Sequence, residues 1–114
     1  IVTNAHPDIV RLKHEITGIK DLVDRIISSH KLGHAKESPQ FWQKLQQDLK
    51  FSPASTLFFD DSPAVLSAAL EYGIKGSIAI CRPDSTRPHH NLKSFVAIDN
   101  FQQLNKSLSK ENVL

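Results

Sequence analysis

An α/β layered fold with a mainly parallel sheet is what this sequence predicts, and three observations carry the prediction. Short apolar runs alternate along the chain with longer segments of helical spacing. The runs, among them Ile1-Val2-Thr3, Thr56-Leu57-Phe58-Phe59 and Ser77-Ile78-Ala79-Ile80, lack polar alternation. Strands covered on both faces of a sheet read this way. Several run ends are followed at once by a turn or capping residue and then a helix, the order expected where crossover helices join parallel strands.

The elements follow in order. Ile1 to Thr3 reads as the end of a strand, because β-branched residues fit an extended backbone. Asn4-Ala5-His6 turns the chain, Pro7 suits the first turn of a helix and Asp8 suits its positive end. Ile9, Leu12 and Ile16 recur at helical spacing and predict a helix that buries that stripe, with Gly18 as its stop. Ile19 to Val23 fits one further helical turn. Ile26-Ile27-Ser28-Ser29 predicts a short strand, and residues 31–37 a loop. Ser38-Pro39 starts the next helix as N-cap and first helical residue, with Phe41, Trp42, Leu45 and Leu49 on one face. Ser52-Pro53-Ala54-Ser55 breaks it. Thr56 to Phe59 is a strand, Pro63 to Tyr72 a helix closed by Gly73, and Ser77 to Ile80 a buried strand. Residues 82–91 form a polar loop. Phe95 to Ile98 is the last strand. Asp99 caps a final helix, Gln102 sits in the capping-box position, and Phe101, Leu104 and Leu108 face the core. The tail from Ser109 is polar.

The chain has 114 residues, enough for one domain and not two. Its 39% apolar content supports a core, and a net charge of +2 is too small to argue for nucleic acid. Lys and Arg form no dense block, and no apolar run reaches membrane-spanning length. Cys81 stands alone, which rules out an internal disulfide and points to a reducing, cytoplasmic setting. The chain contains no Met and opens on what reads as a strand under way, so the expectation is a piece of a longer protein.

Ligands of open α/β sheets bind beyond the carboxyl ends of the strands. Thr3 ends the first strand, Lys36 lies after the second, and Asp60-Asp61 end the third. A hydroxyl, an ammonium and two carboxylates on one rim suit phosphoryl transfer. Paired oxygens hold a hard cation such as Mg²⁺, and a Lys and a hydroxyl hold a phosphate. Simpler readings stand beside this one. Asp60-Asp61-Ser62 also reads as a turn and N-cap, Lys36 as a solvated loop charge, and Thr3 as a strand-ending residue. His30 and His34 are spaced four apart, but Lys31-Leu32-Gly33 between them reads as loop, against a metal pair. His89-His90 reads as solvated, Cys81 has no evident His partner for a nucleophilic role, and Trp42 reads as core.

The order Ile1-Val2-Thr3-Asn4, then Lys36, then Phe58-Phe59-Asp60-Asp61 resembles the haloacid dehalogenase (HAD) superfamily. The stretches TNAHP, HAKESPQFW and TLFFDDSPAVLSAALEYGI are most similar to bacterial HAD-like purine 5′-nucleotidases of the GMP/IMP type. The likeness covers residues 1–75 well and the tail poorly. It implies a three-layer Rossmann-like core and a Mg²⁺-dependent phosphohydrolase acting on a small phosphate ester such as a purine nucleotide. Thr3 would then hydrogen-bond the transferring phosphoryl group with help from the Asn4 backbone. Lys36 would neutralise that group and the nucleophile. Asp61 would ligate Mg²⁺ directly, with Asp60 beside it or bound through water.

Two departures stand out. Many relatives carry an acid or Asn four positions after the metal-binding Asp, where this chain has Val65. The family's first motif, DxDGT, supplies the nucleophilic Asp and the acid/base, and no DxD occurs here. That motif's strand, central in the family's sheet, and the small cap domain would precede Ile1. The expectation is therefore a single, incomplete core domain over residues 1–114, inactive alone, and marginally stable unless a complementing segment supplies the strand, the sheet closes up or it swaps between copies. The rival expectation is a non-catalytic α/β binding or regulatory domain. A receiver-like module is disfavoured, because its acidic pair belongs near the first strand.

Overall fold

The computed structural model describes residues 1–81 and 95–103. The chain divides into two compact units, Ile1–Phe51 and Ser52–Leu114. Both are built from helices and short parallel strands, the α/β class that the sequence predicts.

In the first unit, β1 (Val2–Thr3) pairs in parallel with β2 (Ile27–Ser28), Val2 opposite Ile27 and Thr3 opposite Ser28. Helix α1 (Pro7–Thr17) joins them, with Pro at its start. His6 caps it, its Nδ1 accepting from the Asp8 backbone N–H at 3.1 Å. Gly18 closes it in the left-handed region at φ 66°, donating to the His14 carbonyl. Its apolar stripe is not buried: Ile9, Leu12 and Ile16 are 46%, 51% and 76% exposed. Helical spacing decides which residues share a face; whether anything covers that face is a tertiary matter. Ile19–Leu22 forms a 3-10 turn.

Strand β2 stops at Ser28, one residue short of the expected end. Ser29–Leu32 then forms a four-residue helix, α2, where a loop was expected. Two local devices explain it. Ser28 Oγ accepts from the His30 N–H at 3.2 Å, and Gly33, at φ 77°, donates back to the Ser29 carbonyl at 3.0 Å. Helix α3 (Pro39–Leu49) buries Phe41, Trp42 and Leu45, while Leu49 is partly exposed. Ser38 holds the N-cap position, yet its hydroxyl caps nothing and donates to Gln40 Oε1 instead. The helix stops at Lys50, a non-glycine residue at φ 54°, ahead of the expected Ser-Pro break. Arg25 pairs with Asp48 at 2.9 Å.

In the second unit, β3 (Leu57–Asp60), β4 (Gly76–Ile80) and β5 (Val96–Ile98) form one parallel sheet in that order. Helix α4 (Pro63–Tyr72) follows β3 and ends at Gly73, φ 109°. It buries Val65, Leu66 and Ala69. Leu66 packs with Ala79 and Cys81, and with Phe58 and Phe95 beside them. The sheet is not covered throughout, since Leu57 and Val96 remain exposed. After β5, Asn100 caps the chain in place of Asp99. Its Oδ1 accepts from the Gln102 and Gln103 N–H groups, and Gln103 Oε1 accepts from the Asp99 N–H. The cap has thus moved on by one residue to Asn100, while the Gln103 side chain reaches back to Asp99, the residue before it. Phe101 meets Phe59 at 5.3 Å between ring centres but is otherwise exposed. Leu104, Leu108, the polar loop of residues 82–91 with His89 and His90, and the tail lie outside the described residues. Among the described residues no helix is long and apolar enough to cross a membrane.

Candidate active site

The first unit brings Thr3, Asn4 and Lys36 together. Thr3 ends β1 opposite Ser28, and its Oγ1 accepts from the Ala5 N–H at 3.0 Å, which tightens the turn. Ser28 Oγ donates to the Ala5 carbonyl at 2.6 Å and fastens the turn to β2. Because Thr3 Oγ1 is the acceptor in its bond, the hydroxyl keeps its own proton for donation.

Asn4 reaches across to the Lys36 segment. Its Oδ1 accepts from the Lys36 backbone N–H at 3.0 Å, and its Nδ2 donates to Glu37 Oε1 at 3.1 Å. The Asn4 carbonyl faces His30 Nε2 at 3.1 Å. A carbonyl only accepts, so that nitrogen carries a proton. His30 also meets the His6 ring edge-on, 5.2 Å between centres. On its other side, the Lys36 carbonyl accepts from Trp42 Nε1 at 2.9 Å. Lys36 is half-buried.

A cavity of about 340 Å³ opens beside this cluster, lined by Asn4, Ser29, His30, Gly33, His34 and Ala35. Helix α2 ends before His34, so the two imidazoles do not share a helix face as a metal pair would.

The second unit carries the acidic pair. Asp60 is the last residue of β3, opposite Ala79. It is only 9% exposed, and its Oδ1 accepts from the Ser62 N–H at 2.9 Å. This is the turn that the simpler reading of the sequence expects. Ser62 occupies the N-cap position of α4 without a side-chain capping bond. Asp61 is half-buried. The pair offers hard oxygen donors of the kind Mg²⁺ takes. Among the described residues no group of three or more His, Cys, Asp or Glu side chains is arranged to hold a metal. Two carboxylates alone are nonetheless a usual protein share for Mg²⁺, which keeps several waters and binds substrate phosphate.

Sequence reasoning missed the side-chain roles of Asn4, Trp42, Ser28 and Glu37. Asn4 reads as a turn residue and Trp42 as core; the Asn4 bond to Lys36 spans 32 positions that only the tertiary fold brings close, and the Trp42 bond reaches six residues back along the chain. No periodicity signals them.

Comparison with known proteins bears on these residues together. The family model for haloacid dehalogenase-like hydrolases matches residues 1–73. The chain is 32% identical to the GMP/IMP nucleotidase YrfG of Escherichia coli (strain K12) and to that of Shigella flexneri. In each case the match covers 95% of this chain and 49% of the relative, so the chain spans about half the length of these curated relatives. A crystal structure of a dehalogenase with an intermediate complex aligns at a TM-score of 0.74 with 17% identity, covering 91% of this chain and 46% of that one. The L-2-haloacid dehalogenase from Xanthobacter autotrophicus aligns at 0.62 with 22% identity, over 73% of this chain and 34% of that one. Those two structural matches establish the fold, and the family model establishes descent: this chain belongs to the haloacid dehalogenase-like hydrolases.

Proposed function

We propose that the chain supplies the phosphate-holding and metal-holding parts of a Mg²⁺-dependent phosphohydrolase that removes phosphate from purine nucleoside 5′-monophosphates. Both units then belong to one core domain, in the cytoplasm. Thr3 donates its hydroxyl proton to a phosphoryl oxygen, and the Asn4 backbone N–H assists. The Lys36 ammonium neutralises charge on the phosphoryl group and on the attacking carboxylate. Asp61 is the direct metal ligand, because one oxygen of Asp60 already serves the Ser62 turn. Bound Mg²⁺ would offset charge on the phosphoryl oxygens.

No DxD motif occurs in these 114 residues, and the reading takes the nucleophilic Asp from protein sequence upstream of Ile1. Its carboxylate oxygen attacks phosphorus, the ester P–O bond breaks, and the nucleoside oxygen leaves with a proton given by the acid/base Asp of the same upstream motif. Water then releases phosphate from the aspartyl-phosphate. β1 and β3 each stand at a sheet edge among the described residues, where a further strand can pair.

The observation that carries this reading is that Asn4, next to Thr3, accepts from the Lys36 backbone N–H, in a chain matched by the family model. Phosphate release from GMP and IMP, by a polypeptide extended upstream of Ile1 in its reading frame, tests it. Lys36→Ala and Asp61→Asn should each abolish release. Full activity in either variant contradicts the proposal, and binding of phosphate without turnover in the extended protein favours the non-catalytic domain.

A further inference from the structure

We propose that Asn4 and Trp42 are positioning residues for Lys36: two side chains grip the two polar groups of its peptide and so set where its ammonium emerges. The proposal rests on the phosphoryl-neutralising role given to Lys36 above.

The geometry is specific. The Lys36 N–H is held by Asn4 Oδ1 at 3.0 Å and the Lys36 carbonyl by Trp42 Nε1 at 2.9 Å. Neither partner belongs to a regular backbone ladder with Lys36, which lies in the turn between α2 and α3. Each partner is itself fixed. Trp42 is 2% exposed on α3 and packs edge-on against Phe41 at 5.2 Å between ring centres. Asn4 is tied by its Nδ2 to Glu37 and by its carbonyl to His30. Asn4 also follows Thr3 directly, so the grip ties the Lys36 backbone to the residue next to the Thr3 hydroxyl.

The indole N–H has a use beyond packing. A Phe would fill much of the same apolar site, yet it would leave the Lys36 carbonyl without this donor. A displacement of about 1 Å in a catalytic group can cost about a hundredfold in rate. Loss of one grip should therefore lower turnover with little change in substrate affinity.

Phosphate release by the upstream-extended polypeptide, read as separate kcat and KM, tests this with Lys36→Ala, Asn4→Ala and Trp42→Phe. The expected result is no activity for Lys36→Ala, and kcat lowered by roughly ten- to a hundredfold in the other two with KM within about twofold. Asn4→Asp should lower kcat by setting a carboxylate against Glu37. Asn4→Asp with Glu37→Gln, which restores a donor opposite the new acceptor, should recover most of it. Wild-type kcat in both Asn4→Ala and Trp42→Phe, with Lys36→Ala inactive, overturns the grip and leaves the proposed function standing. An active Lys36→Ala overturns both. Trp42 is the only Trp in the chain, so its indole N–H gives one NMR signal free of overlap from other indoles. Exchange of that proton at the rate of a free indole contradicts the grip, without need of any variant.

Discussion

Helices α1 and α3 are each eleven residues long, each begins with Pro, and each carries an apolar stripe. One buries nothing and the other buries Phe41, Trp42 and Leu45. The sequences announce both helices equally well. The difference lies in what the stripe meets: α3 is held by a fully buried aromatic pair and anchors Lys36, whereas Ile9, Leu12 and Ile16 face outward. Amphipathic spacing is thus a statement about one helix, and burial a statement about its neighbours.

Truncation is the strongest way to break this comparison. Phe41→Ala should cost about 3–5 kcal/mol, the range for deleting a fully buried aromatic ring, read as a shifted urea midpoint. Leu66→Ala, at the centre of the other unit's core, should cost about 2–5 kcal/mol. The helix ends sharpen it further. Both helices finish in the left-handed region, α1 on Gly18 and α3 on Lys50. A side chain is strained there, so Lys50→Gly should stabilise by up to about 1 kcal/mol. A destabilised Lys50→Gly would show that the Lys50 side chain contributes more than its strain costs. Ser38→Ala should cost under about 0.5 kcal/mol, well below a usual N-cap loss, because the Ser38 hydroxyl bonds Gln40 instead. Smallest of all, Ile16→Ala should stay within about 0.5 kcal/mol. A loss of several kcal/mol there would mean that the α1 stripe is covered in solution.

Much of the fold was legible because its signals are local. Pro7, Pro39 and Pro63 mark helix starts, and Gly18 and Gly73 mark stops, each through backbone geometry that any context preserves. The errors are also physical. Helix α2 escaped notice because four residues give no period, and only the Ser28 hydroxyl and Gly33 define it. The last cap was misplaced by one residue because Asp99 and Asn100 are both good caps, and only the bonds from Asn100 decide between them. At the candidate site, Thr3, Lys36 and the acidic pair stood out by chemistry at strand ends. Asn4 and Trp42 did not, because their hydrogen bonds to Lys36 join positions that no local pattern relates.

The central claim is that this chain holds the phosphoryl-handling residues and draws its nucleophile from elsewhere. Phosphate release from GMP with Mg²⁺, by the 114-residue chain alone and by the upstream-extended polypeptide, tests it most directly. No turnover is expected of the chain alone, and turnover that Asp61→Asn abolishes is expected of the extended form. Mg²⁺-dependent turnover by the 114-residue chain alone, lost in Asp61→Asn, would contradict it.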